Sequence, residues 1–480
     1  MSIIESLVRG ILIRIQKVIN TVVPTYTTDV ACVNKSTGVL KTATASEVAN
    51  AGLRLDTALI ETYTGTGYVS YPYMVIPGLP ISRNGIVTAA STAGVTVDSY
   101  APRHTGLITL TQSNLVGVGG SYQFSAMASL TTLSAPLLTT VGGNYSPSTM
   151  AALTTLSAPV LAYVGGNYYP QSMAALTTLS TPLLSYVGSN YSPNTMASLT
   201  TLSTPLLAYV GGTYQPGTMA SLTTLSTPLL AYVGGSYTPT SMAALTTLSA
   251  PLLAYVGGTY NPNVMASLTT LSAPLLAYVG NNYQPNVMAS LTTLSAPLLA
   301  YVSGSYTPSS MAALTTLSAP LLAYVGGLYY PTTMASLTTI SLPALTSVGV
   351  DVARTVYTNG KIAPTGMAAL TSFTMPAIEV LGSSSNASIS FISGTAALAT
   401  FTMGSSLRKI NGSVIFTSAA LNQASVDGIL VRLAALDGTG LTTAYSTKTV
   451  TITGTSSTPS ATGLAAKATL VARGCTVTHL

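Results

Sequence analysis

Charge is what this sequence has least of. Its 480 residues include 16 Lys+Arg and 10 Asp+Glu, a formal net charge of +6, where a globular chain of this length ordinarily carries about 120 charged side chains. Trp is absent, Phe occurs 5 times, and the histidines are His104 and His479 alone. A nucleic-acid surface needs far more Lys and Arg, so no nucleic-acid partner is expected. Two histidines furnish no His-based metal site within one chain, and nothing in the sequence implies a cofactor. Cys32 and Cys475 lie 443 positions apart, which gives neither a disulfide framework nor a C-x-x-C metal site. Mean hydropathy is +0.51, yet no run of about 20 apolar residues reads as a membrane-spanning helix, because Thr, Ser, Gly, Pro and Asn interrupt every uncharged stretch. Disorder is excluded by the 48% hydrophobic content and the small net charge. The first residues carry Glu5, Arg9, Arg14 and Lys17 and no small-residue cleavage site follows, so they do not read as a signal peptide. Assembly in the cytoplasm of a producing cell is the expectation.

The few charges are also unevenly placed. Fourteen fall in residues 1–103 and twelve in 351–480, while the 247 residues from His104 to Val350 contain no Asp, Glu, Lys or Arg. That neutral span is a repeat. Methionine recurs every 23 residues from Met127 to Met334, and a leucine three positions later keeps step from Leu130 to Leu337, with Leu107 one unit earlier. Looser spacings lead on to Leu370 and Leu398 and the step returns to 23 at Leu421, giving fourteen units, eleven regular and then three after the spacing loosens.

One unit, Leu153–Ala175, reads LTTLSAPVLAYVGGNYYPQSMAA. Leu153 and Leu156 are spaced to lie under one coil; Thr154, Thr155 and Ser157 suit an exposed strand. Pro159 ends that strand, Gly165 and Gly166 permit a tight corner through their access to positive φ, and Pro170 closes a second extended piece around Tyr168. Two prolines per unit forbid a helix of useful length. A single unit cannot bury its own leucines, whereas stacked units can. The expected fold is therefore mainly β: a leucine-rich-repeat-type β-solenoid over 104–422, with an N-terminal helix over 1–24, a small β-rich anchoring or capping domain over 25–103, and a small α/β cap over 423–480.

These units resemble the leucine-rich repeats of BspA-type surface proteins and of receptor L-domain-like solenoids, the segment LPALTSVG at Leu342–Gly349 most of all. The C-terminal stretches Leu421–Gly438 and Lys467–Thr478 resemble the endings of repeat proteins in bacteriophage virions and bacterial surface proteins. The resemblance implies a solenoid used for display or adhesion and brings no catalytic residues with it. One departure is that the usual repeat surface is charged.

At the N-terminus Ile4, Val8, Ile11, Ile15, Val18 and Val22 fall at alternating spacings of four and three, a heptad seam. β-Branched residues at both seam positions favour three or four strands over two, so a homotrimer is favoured, with docking onto another protein, ordinary intradomain packing and, given its few basic residues, least of all a membrane-surface helix as alternatives. A short helix is expected near Ala45–Leu53. Near the C-terminus Ser425–Leu436 reads as an amphipathic helix with Ser425 as its N-cap, followed by extended segments at Lys448–Thr453 and Thr469–Thr478.

Stacking converts each repeated residue into a row. Thr132, Thr155, Thr178, Thr201, Thr224, Thr247, Thr270, Thr293, Thr316 and Thr339 form one, with a serine two places on. Tyr163, Tyr186, Tyr209, Tyr232, Tyr255, Tyr278, Tyr301 and Tyr324 form a second, and the series from Tyr122 to Tyr329 a third. The first two rows are the candidate ligand-facing surface, suited to a neutral polymer such as a glycan; packing and β-propensity are the competing explanation, and packing is the expectation for the Tyr122 series. Carboxylate pairs are missing from the repeat, which excludes glycosidase chemistry there, and no enzyme is expected. The functional expectation is a virion structural protein of a tailed bacteriophage, a fibre or spike that meets other virion proteins through its N-terminal region and a host-surface glycan or protein through the solenoid. Alternatives are a capsid decoration or head fibre with a purely structural role, a bacterial cell-surface adhesin, and ice or crystal binding by the threonine row.

Overall fold

A computed structural model describes residues 107–112, 115–350, 360–382 and 387–479, together with the backbone of strands Val30–Val33, Leu40–Ala43, Glu61–Gly65 and Val95–Val97. The N-terminal seam and the helix expected near Ala45–Leu53 lie outside the described residues. The fold is a parallel β-solenoid of about fifteen turns of 23 residues. Two compact units divide the described chain: one holds the residues up to Gly235 with Pro239–Ala250, the other Ser236–Thr238 with Pro251 onward.

In the first unit each turn supplies one rung to three ladders. The strand Thr155–Ser157 pairs in parallel with Thr132–Ser134, placing Leu156 beside Leu133. The strand Tyr163–Val164 pairs in the same way with Tyr186–Val187. Single bridges join Tyr145 to Tyr168 and Tyr168 to Tyr191 on the third side. Register is fixed because a slip of one residue would turn every leucine outward. Leu153, Leu156, Leu161, Val164, Tyr168 and Met173 all point in and are buried; complete burial of an aliphatic side chain of this size contributes about 1.5–3 kcal/mol. The ladder begins before the first repeated leucine, since Val95–Val97 pairs in parallel with Leu115–Val118. Strand Glu61–Gly65 runs antiparallel along Leu107–Gln112.

Gly165 and its equivalents are needed for a different reason than the sequence reading gave. They do not adopt positive φ. A Cβ on Gly165 would stand 2.2 Å from the carbonyl oxygen of Gly142 in the preceding turn, so glycine lets adjacent backbones approach. The left-handed conformation falls instead on the residue before each methionine, such as Thr149 (φ 56), Ser172 (φ 56), Val264 (φ 55) and Val287 (φ 53).

The second unit continues the pattern through Thr270–Ser272, Thr293–Ser295 and Thr316–Ser318. Less regular turns follow, in which Thr339–Ser341, Ser372–Met375 and Thr400–Met403 pair in register. The unit closes with a parallel sheet of Ala387–Phe391, Ser413–Ala419, Thr449–Gly454 and Thr476–His479. Helix α1 (Gln423–Ala434) and helix α2 (Ala461–Ala472) connect its last three strands. Asn422, not Ser425, caps α1, its side chain accepting from the Ser425 amide at 2.9 Å. Ser425 lies inside the helix and ties it to the strand Thr400–Met403 and the residue before it: its Oγ accepts from the Phe401 amide at 3.0 Å and donates to the Ala399 carbonyl at 3.2 Å. The extended segment expected to start at Thr469 starts at Thr476, because Ala461–Ala472 is helical; its alanines and leucines favour helix, a preference the sequence reading passed over.

Candidate recognition surfaces of the solenoid

The threonine row is out in the open and partly self-satisfied. Thr155, Thr178, Thr201, Thr224 and Thr247 of the first unit are exposed, and Thr132 is half-buried. In the second unit Thr270, Thr316 and Thr339 are exposed and Thr293 half-buried. The threonine immediately before each behaves differently. Thr154 Oγ1 donates to the Thr131 carbonyl at 3.1 Å, and Thr292 Oγ1 to the Thr269 carbonyl at 3.1 Å. In these turns, and likewise at Thr131, Thr200, Thr246 and Thr315, the first hydroxyl of the pair braces the stack while its neighbour carries no such bond.

The Tyr163 row is half-buried, and its rings cover one another. Tyr163–Tyr186 centroids lie 4.9 Å apart at 4° and Tyr186–Tyr209 4.9 Å apart at 2°. In the second unit Tyr255–Tyr278 stand at 4.9 Å and 2°. Within such a stack each π-face already has a partner, so the row offers ring edges and hydroxyls to a ligand rather than faces. Burial, and secondarily the adjacent phenols, raise the Tyr186, Tyr255 and Tyr278 hydroxyls above the ordinary tyrosine range. The Tyr122 series is buried; its members pack the interior, as the packing explanation requires.

Two surface features escaped the sequence reading. The first is an apolar row: Leu137 is 47% exposed and Leu183 43% in the first unit, and Leu275 39% and Leu321 48% in the second. The doubled leucine after each proline was the available signal, since only one of two adjacent residues can face inward beyond a turn. The second is the outward side of the Tyr122 series. There Asn144 Oδ1 accepts from the Asn167 amide at 2.8 Å, and Asn167 Oδ1 accepts from the Asn190 amide at 3.0 Å. Such side chains satisfy the backbone of the following turn, as Asn282 does for Ser305 in the second unit.

Among the described residues no three His, Cys, Asp or Glu side chains come together as a metal-binding group, and no helix is long and apolar enough to cross a membrane. Arg408 Nη2 lies 3.1 Å from Glu379 Oε2 at a partly exposed site, where such a pair contributes little. No family model, curated protein or solved structure matches this chain.

Proposed function

We propose that this protein is a non-enzymatic fibre or spike of a virion, displaying a leucine-rich-repeat-type solenoid that recognises a neutral polymer on a host surface. The observation that carries the reading is the neutral span: 247 residues without one Asp, Glu, Lys or Arg, folded so that hydroxyls, amides and ring edges face outward in register. General acid–base chemistry has no carboxylate or lysine to draw on within that span. A repeated neutral surface instead gives many weak, equivalent contacts, which suit a repeating partner. The resemblance of the C-terminal stretches to virion repeat proteins favours a virion over a cell surface.

In this reading the seam at Ile4, Val8, Ile11, Ile15, Val18 and Val22 gathers three copies. Light scattering on the full chain is expected to give a trimer near 146 kDa, three times 48.8 kDa. A chain starting at Thr25 is expected to be a monomer. A full-length monomer would remove the trimeric fibre and favour a single-copy adhesin or decoration protein.

A further inference from the structure

Nine turns from Leu130 to Ser336 are almost copies of one another, which makes their differences informative. Leu-Thr-Thr-Leu-Ser opens every one of them, and the later Pro, Val, Tyr, Pro and Met anchors never change. Variation gathers between the inward tyrosine and the methionine. The residue after the tyrosine is Ser, Tyr, Gln, Thr or Asn; the residue after the second proline is Ser, Gln, Asn, Gly or Thr. Both positions alternate with buried residues and so point outward. An invariant surface can bind only something uniform, whereas a surface that differs from turn to turn can discriminate. Neutral polar residues with Tyr are also the composition of adaptable binding surfaces in antibodies.

In the second unit this side holds a concentrated group. Asn261 and Asn263 in one turn stand beside Gln284 and Asn286 in the next, with Asn263 bridged to Asn286 and Tyr260 to Tyr283. Adjacent strands lie about 4.8 Å apart, so four carboxamides share a small area. The Oδ1 atoms of Asn261 and Asn263 are turned into the protein and buried, and Asn286 Oδ1 accepts from Ser309 Oγ at 2.7 Å, which leaves the side-chain N–H groups and the Gln284 carboxamide for a ligand. Beside them Val264 and Val287 are 39% and 43% exposed and hold the left-handed conformation, which is a genuine outlier for a β-branched residue.

We infer that Asn261, Asn263, Gln284 and Asn286, flanked by Val264 and Val287, form a specificity-determining site for a neutral polysaccharide. This rests on the recognition reading above and moves the selective contacts from the uniform rows to the third side. The asparagine N–H groups donate and the Gln284 carboxamide both donates and accepts, the pattern that sugar hydroxyls need, and the valines meet the C–H face of the ring. No charged side chain stands between His104 and Val350 to bind a charged polymer. The site also lacks the Trp and Arg that anchor protein partners.

The test is affinity electrophoresis of the full chain through gels containing dextran, galactomannan or hydroxyethyl cellulose, with dextran sulfate as the charged comparison. Retardation by at least one neutral polymer is expected. The variant Asn261→Thr/Asn263→Ser/Gln284→Thr/Asn286→Ser uses residues that other turns already carry at these positions, so it is expected to fold; circular dichroism checks this. Its affinity is expected to fall at least tenfold, while Ser267→Ala/Ser290→Ala binds as the parent does. Unchanged binding in the carboxamide variant, or loss confined to Thr270→Val/Thr293→Val, overturns the site and leaves the recognition reading standing. No retardation of the parent by any neutral polymer, or retention only by a protein surface, overturns that reading along with the site.

Discussion

Within the second unit, the regular turns and the turns that follow them solve one packing problem in two ways. Tyr260–Tyr283 and Tyr306–Tyr329 stack at 5.1 Å with interplanar angles of 5° and 4°. Beyond them the register partners Phe373–Phe401 and Phe391–Phe416 still stack, at 17° and 8°, but these two rows also meet each other edge-on, Phe373–Phe391, Phe391–Phe401 and Phe401–Phe416 at 80°, 76° and 70°. Identical turns can only place identical rings at identical heights, so they stack in parallel. The later turns carry inward phenylalanines on two ladders, so stacked rows also interlock edge-on, a contact that aromatic quadrupoles favour. Backbone strain divides along the same line. The left-handed position is Ser, Thr, Val or Ala in the regular turns, and Gly366 and Gly394 in the irregular ones. Repetition is thus retained in the regular part at a local cost, and charge returns only where repetition ends, at Lys361, Glu379, Arg408 and Lys409.

The largest expected effect comes from pH. Burial raises the phenols of Tyr237, Tyr260, Tyr283, Tyr306 and Tyr329 above the ordinary tyrosine value, which is about 10. The unfolded chain therefore loses these protons first. Their contribution is complete below pH about 10 and is lost as pH rises toward the folded-state values, at about 1.4 kcal/mol per pH unit for each phenol. In acid the regular turns have no carboxylate to protonate. The cap does: hydrogen bonds from Thr439, and then Thr442, lower the exposed Asp437 carboxyl, so its contribution is present above the ordinary aspartate value and is lost as pH falls through the folded one. Thermal melts followed by circular dichroism are expected to be flat from pH about 5 to 9 and to fall steeply above 10. A steep acid transition of the regular turns in hydrogen exchange would break the contrast.

A substitution of intermediate effect is Gly280→Val. A Cβ there would stand 2.1 Å from the Gly257 carbonyl oxygen, so the stack must open. Ser303 occupies the equivalent place in the next turn, so a small side chain is accommodated and a branched one is not. A loss of about 3 kcal/mol is expected in urea unfolding; a loss below 1 would show that the spacing between turns is soft.

The smallest effect is a gain. Val287→Gly relieves the left-handed strain and is expected to stabilise the chain by about 1 kcal/mol, making this turn resemble those with Gly366 and Gly394. The same change is expected to weaken binding to any neutral polymer that retards the parent. A stability gain with binding untouched would separate the strain from the site.

The sequence by itself determined the repeat, its period, the parallel β-solenoid and the inward leucines, methionines and tyrosines. A 23-residue unit that cannot bury its own apolar residues has to stack, and identity between units sets the register. The α/β character of the cap was also legible, although Asn422 replaced Ser425 as the N-cap and a second helix took residues expected to be extended. Only the tertiary structure decided how each row is used. Stacking at 4.9 Å hides the faces of the Tyr163 row, in several turns one threonine of the pair is tied to the turn before it, and glycine at the corner makes room for a neighbouring carbonyl rather than serving its own φ. Those contacts join residues 23 positions apart through the closeness of adjacent turns, and a period read along the chain carries no distance across it.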